Sequence, residues 1–137
     1  MDESEKPAFY EVGLAELQNE VGPWAEENFG DIDDIGRDIN ERRKRRKPGA
    51  DVGAIFCTLG VNEEAGELTH SVLKRAQGIR EDEPGVGPEA EQDAVGDIIV
   101  YLADFCHRRG YNLAECVHRA WYDEVSEREW DSSTRPE

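Results

Sequence analysis

From Tyr10 to Asn28 apolar residues return every three or four positions, at Val12, Leu14, Leu17, Val21, Trp24 and Ala25. That is the period of a helix with one buried face. Phe29-Gly30 closes the run, and glycine takes the left-handed conformation of a helix C-terminal cap without steric penalty. The polar stretch that follows, to about Ala50, is longer than a helix–helix connection usually needs. The apolar pattern resumes near Asp51 or Val52 and runs through Gln77, with Gly60 as a candidate break. Residues 78–88, GIREDEPGVGP, are rich in breakers and predict a linker. Pro88 suits the first turn of a third helix that ends near Gly110, and Asn112 can cap a fourth that reaches about Trp130. No alternating run of Val, Ile and Thr bounded by turns occurs. The expectation is an all-α domain over residues 10–130, a bundle of about four helices, with flexible ends at 1–9 and 131–137.

A chain of 137 residues allows one domain with a modest core, one that could lean on a partner subunit, so oligomerisation is expected. Its 32 acidic residues outnumber 16 Lys and Arg, for a net charge of −16. Such a field keeps a protein in solution and argues against nucleic acid or an anionic membrane as a partner. The basic residues are mostly Arg, with Lys only at 6, 44, 47 and 74, a composition that resembles proteins adapted to high salt. One basic block, ERRKRRK at 41–47, could attract a triphosphate or nucleic acid, or lie as a solvated loop against the acidic surface. Cys57, Cys106 and Cys116 show no Cys-x-x-Cys spacing and fall in apolar-rich segments. They read as buried thiols of a reducing compartment. Without a signal peptide or a long apolar run, the expected location is the cytoplasm.

The charge is not evenly spread. Residues 62–70 read NEEAGELTH, with Glu63, Glu64 and Glu67 within little more than one turn of helix. Like charges at this spacing destabilise a helix by roughly 0.2–0.5 kcal/mol per pair, which solvation or a cation must offset. At about 100° per residue the three carboxylates share an arc beside an apolar face of Ala65, Leu68, Val72, Leu73 and Ala76. In the third helix Val95, Ile98, Ile99, Leu102, Phe105 and Cys106 make the main apolar face. Asp93, Asp97 and Asp104 form a stripe opposite, with Val100 in its middle, as if that side too were covered. Antiparallel packing of the two helices would gather about four carboxylates, the hard oxygen donors Mg²⁺ takes. Solvated helix faces in a very acidic chain are the other reading. Glu67-Leu-Thr-His70 and Glu115-Cys-Val-His118 have the Glu-x-x-His spacing of di-iron bundles. Glu115, however, points away from the fourth helix's apolar face of Leu113, Val117, Ala120 and Trp121, which excludes a core site.

Leu59-Gly-Val-Asn-Glu63-Glu64-Ala-Gly-Glu67-Leu, followed by Asp93-Ala-Val-Gly-Asp97-Ile-Ile-Val-Tyr101-Leu, resembles the MazG-like all-α nucleoside triphosphate pyrophosphohydrolases, whose signature is EExxE and then ExxD. Leu17-Gln18 through Trp24, Asn28-Phe29-Gly30, QGIR at 77–80 and the stretch Trp121–Trp130 extend the likeness over roughly residues 14–130. The resemblance implies Mg²⁺, with Mn²⁺ as a substitute, on Glu64, Glu67 and Asp97. The first Glu of ExxD falls on Ala94, and the neighbouring Asp93, on the same helix face as Asp97, can stand in for it. It also implies a homodimer or homotetramer, and hydrolysis of a nucleoside triphosphate between the α- and β-phosphates to a monophosphate and pyrophosphate. Glu63 would orient the water or act as base. Lys74, Arg75 or Arg128 would clamp phosphate oxygens, and Tyr101 matches a position that contacts the nucleotide. Blander readings stand beside these: Lys74 and Arg75 as solvated helix ends, Tyr101 in a subunit interface, His70 at the surface, and Trp24 in the core rather than stacked on a base. Ala94 motivates an alternative, a non-catalytic binding or regulatory protein of the same fold. Phosphoribosyl-ATP is an alternative substrate.

Overall fold

Helix α1 spans Leu14–Arg42, α2 Val52–Gln77, α3 Pro88–Arg109 and α4 Leu113–His118, and a π-helical segment, Arg119–Val125, continues α4. This computed structural model describes residues 4, 6–8, 11–42 and 52–126, with the backbone alone for 31–42. Every regular element among the described residues is helical, as the apolar periodicity predicts. None of these helices is long and apolar enough to cross a membrane.

Most boundaries follow local chemistry. Pro88 occupies the first turn of α3, and Gly110 ends it in the left-handed conformation at φ 68°. The Asn112 side chain accepts the Glu115 backbone N–H at 3.0 Å and starts α4. Three expectations are corrected. Phe29-Gly30 is a kink and not an end: Phe29 leaves helical geometry at φ −130°, ψ 21°, and the chain resumes as helix to Arg42. The sequence beyond keeps a helical period at Ile32, Ile35 and Ile39, so a single distorted residue does not stop it. Gly60 does not break α2. Finally, α4 proper is short and widens into π geometry at Arg119. Residues 43–50, with most of the basic block, and 127–137, with Arg128 and the expected tail, lie outside the described residues.

The larger correction concerns which faces meet. Val72, Leu73 and Val95, assigned to the core by hydrophobicity, are 52%, 47% and 53% exposed. The side of α2 that packs on α3 instead carries Gly53, Cys57, Gly60 and Ser71, all buried, and α3 answers with Ala94. Small residues bring two helices closer than leucines and valines could, and closeness is what packing rewards. The antiparallel register is legible in single contacts. Gly60 lies against the Tyr101 ring, Cys57 donates its S–H to Asp104 Oδ2 at 3.2 Å, and Ser71 Oγ accepts the Gly87 N–H at 2.8 Å. Ser71 also reaches Glu91 Oε1 at 3.2 Å. Arg75 bonds that same oxygen at 2.8 Å, and this bond above all holds the Glu91 carboxyl below its usual range, against the opposing effect of desolvation.

On the other side of α3, Val21, Ala103, Cys106 and Leu113 form a small core with Leu14, Leu17, Ile99, Leu102 and Phe105 packed around it. Gln18 ties α1 to the turn before α4, accepting the Leu113 N–H at 2.7 Å. Cys57 and Cys106 are buried as expected, but Cys116 is exposed, because only Leu113 of the short α4 reaches the core.

Candidate active site

With this register the acidic stripes of α2 and α3 face each other across the helix pair, and they border two cavities. One, of about 570 Å³, is walled by Val21, Trp24 and Phe29 of α1, Phe56 and Gly60 of α2, and Val100 and Tyr101 of α3. The other, of about 850 Å³, is an acidic cleft that holds Glu67 and Asp93 and is closed by the 78–88 loop at Glu83 and Val86. Glu63, Glu64 and Asp97 line both. The two helices thus set a wall of carboxylates between an apolar chamber and an acidic one.

Glu64 sits deepest in that wall. Its Oε2 is buried without a hydrogen-bond donor, and desolvation, followed by the charges of Glu67, Asp97 and Glu63, pushes its carboxyl above the usual range. The Glu67 carboxyl adjoins it, but two carboxyls can share a hydrogen bond only when one of them holds a proton. Desolvation first, and then the charges of Glu63, Glu64 and Asp97, push the Tyr101 phenol up, so it stays a neutral donor in the wall of the apolar chamber.

The remaining residues singled out from the sequence are placed as follows. Asp93 is exposed along the acidic cleft, whereas Ala94 is only 2% exposed at the α2 contact. His70 is exposed at the edge of that cleft. Lys74 lines neither chamber and donates to Gln77 at 3.3 Å. Glu115 and His118 are both exposed, so the second Glu-x-x-His stays at the surface. Trp24 is not a core residue: it is 52% exposed and meets Phe29 edge-on at 5.5 Å between ring centroids. The kink at Phe29 carries α1 past the chamber with both rings in its wall.

Phe29, Phe56, Cys57 and Arg108 also line the apolar chamber, and sequence reasoning gave none of them a functional role; Asp104, counted there only with the acidic stripe of the third helix, lines it too. A signal was present. Cys57 precedes Glu64, and Asp104 follows Asp97, by two helical turns, on the same faces as the acids.

Whether these residues suit a divalent cation can be judged from Glu64. An orphaned buried carboxylate oxygen among three further carboxyls is the donor set a hard cation satisfies. No three His, Cys, Asp or Glu side chains among the described residues converge on one point as they stand, so a cation would have to draw them together. The residue types fit the group. No protein-family model, curated protein or solved structure matches the chain.

Proposed function

We propose that the protein is a Mg²⁺-dependent pyrophosphohydrolase of nucleoside triphosphates, built on a MazG-like bundle. The observation that carries the reading is the carboxylate wall of Glu63, Glu64 and Asp97 shared by an aromatic chamber and an acidic cleft. A nucleotide has the same two-part chemistry: a flat base that aromatic side chains can hold, and a polyanion that an acidic cleft accepts only through cations. Glu64, Glu67 and Asp97, with Asp93 beside them, would hold Mg²⁺, or Mn²⁺ in its place, which supplies charge neutralisation at the phosphates and a more acidic water. Glu63, which lines both chambers, orients that water and accepts its proton. Tyr101 donates from its neutral phenol toward the nucleotide. Trp24 and Phe29 cover the base and limit water on that side.

Several half-exposed apolar side chains, Val72, Leu73, Val95, Val117 and Trp121, lie outside both chambers. They are the apolar surface that a homodimer or homotetramer would cover.

The test is pyrophosphate release from a panel of nucleoside triphosphates with Mg²⁺, at low and high salt, by wild type, Glu67→Ala and Asp93→Ala. Release by wild type and its loss in both variants is expected. Silence of wild type across the panel would shift the reading to a non-catalytic binding protein of the same fold. That second reading draws on the burial of Ala94, which leaves the cleft without a carboxylate at that position.

A further inference from the structure

The apolar chamber has polar groups at both ends. Beyond the carboxylate wall, two turns further along α3 and about 10 Å away at 1.5 Å per residue, lies Asp104, with Arg108 one turn beyond it. Arg108 Nε donates to Asp104 Oδ1 at 3.1 Å, and the two side chains are only 6% and 13% exposed, the aspartate being the more open. Cys57 donates to the other carboxylate oxygen. Exchanging a buried ion pair for apolar side chains of similar size is often neutral or stabilising. Such a pair in an otherwise apolar chamber therefore points to recognition more than to stability, because a few placed polar groups are what orient a ligand in such a site.

We infer that Asp104 is a specificity-determining residue that selects nucleotides whose base carries an exocyclic amino group at the edge facing the chamber's far end. The inference rests on the nucleotide reading of the chamber above. An ionised carboxylate only accepts hydrogen bonds. It receives one from the amino group of cytosine or adenine, and it repels the keto oxygen that uracil or hypoxanthine presents at the same place. The distance from the carboxylate wall matches the span from a 5′-phosphate to the far edge of its base. Arg108 and Cys57 are positioning residues, holding the carboxylate in one orientation.

The matched pairs dCTP against dUTP and dATP against dITP differ at this edge by amino against keto. Their kcat/KM for pyrophosphate release with Mg²⁺ is measured for wild type, D104N and the double variant D104N/R108M, which removes both charges of the pair. Wild type is expected to favour the amino member of each pair about tenfold or more. In both variants that ratio falls at least tenfold, chiefly through KM, since a carboxamide or an uncharged floor no longer rejects the keto oxygen. Hydrolysis by wild type without preference, or an undiminished preference in a folded variant, overturns the role of Asp104 and leaves the hydrolase reading standing. Absence of hydrolysis from all four nucleotides overturns this inference; extended to the whole panel of nucleoside triphosphates, it overturns the hydrolase reading as well.

Discussion

At the residue scale the unusual group is Glu64, a carboxylate with one buried, donor-less oxygen and three acidic neighbours. Each neighbour raises the free energy of its charged form, so the metal-free protein carries a local destabilisation that a cation would relieve. Glu64→Gln keeps the shape and removes the charge. Thermal melts at neutral pH should show the variant melting above metal-free wild type. Adding MgCl₂ should raise the wild-type melting temperature and leave the variant's unchanged. Equal Mg²⁺ shifts in both proteins would remove Glu64 from the ligand set. Residues such as Glu64 were legible as a cluster in NEEAGELTH. Which member is buried was not, because burial depends on the side of α2 that α3 covers.

At the element scale the α2–α3 pair depends on small residues and on one hydroxyl. Ser71 is fully buried, accepts the Gly87 N–H at 2.8 Å, and so joins the last turns of α2 to the start of α3. Ser71→Ala leaves that N–H without its acceptor and should cost roughly 1–3 kcal/mol in urea unfolding. Two glycines separate packing from propensity. A Cβ on Gly60 runs into the Tyr101 ring, while one on Gly96 meets nothing within 4 Å. Alanine gains up to about 1 kcal/mol over glycine inside a helix, and overpacking costs typically 1–3 kcal/mol. Gly60→Ala should therefore destabilise by about 1–2 kcal/mol, whereas Gly96→Ala should stabilise by about 0.5–1 kcal/mol. Denaturant titrations of the two variants measure both signs, and a stabilising Gly60→Ala would contradict the tight register. Helix existence was readable from Val12 through Ala25 and from Pro88 to Gly110, because caps and periodicity act within a few residues. So was the face of α1 and α3 that holds Leu17, Val21, Leu102 and Cys106; the face on which α2 meets α3 was not. Ranking faces by large apolar residues selected Val72, Leu73 and Val95, and the pair instead closes on Gly60, Ser71 and Ala94.

At the scale of the whole molecule the net charge of −16 works against compactness. Salt screens it, with a Debye length of about 10 Å at 0.1 M falling to about 3 Å at 1 M. Raising NaCl from about 0.05 M to 1 M should increase the melting temperature by several degrees, as followed by circular dichroism. A flat response would mean that the surface carboxylates are already paired or too widely spaced to repel. The shared carboxylate wall also belongs to this scale, since α1, α2, α3 and the 78–88 loop all contribute to the chambers on its two sides.

The sequence by itself determined the helical class, the position of α2 and α3, the Pro88 start and Gly110 end of α3, and the two acid-rich stretches, because each of these follows from periodicity, proline and glycine geometry, or charge spacing along one segment. Only the tertiary structure decided that the acidic stripes look inward at each other, that Trp24 and Phe29 wall a chamber instead of filling the core, and that Asp104 and Arg108 close its far end. Those are relations between segments far apart in the chain. They are set by how closely two backbones can approach, a property of pairs of helices that no single helix carries.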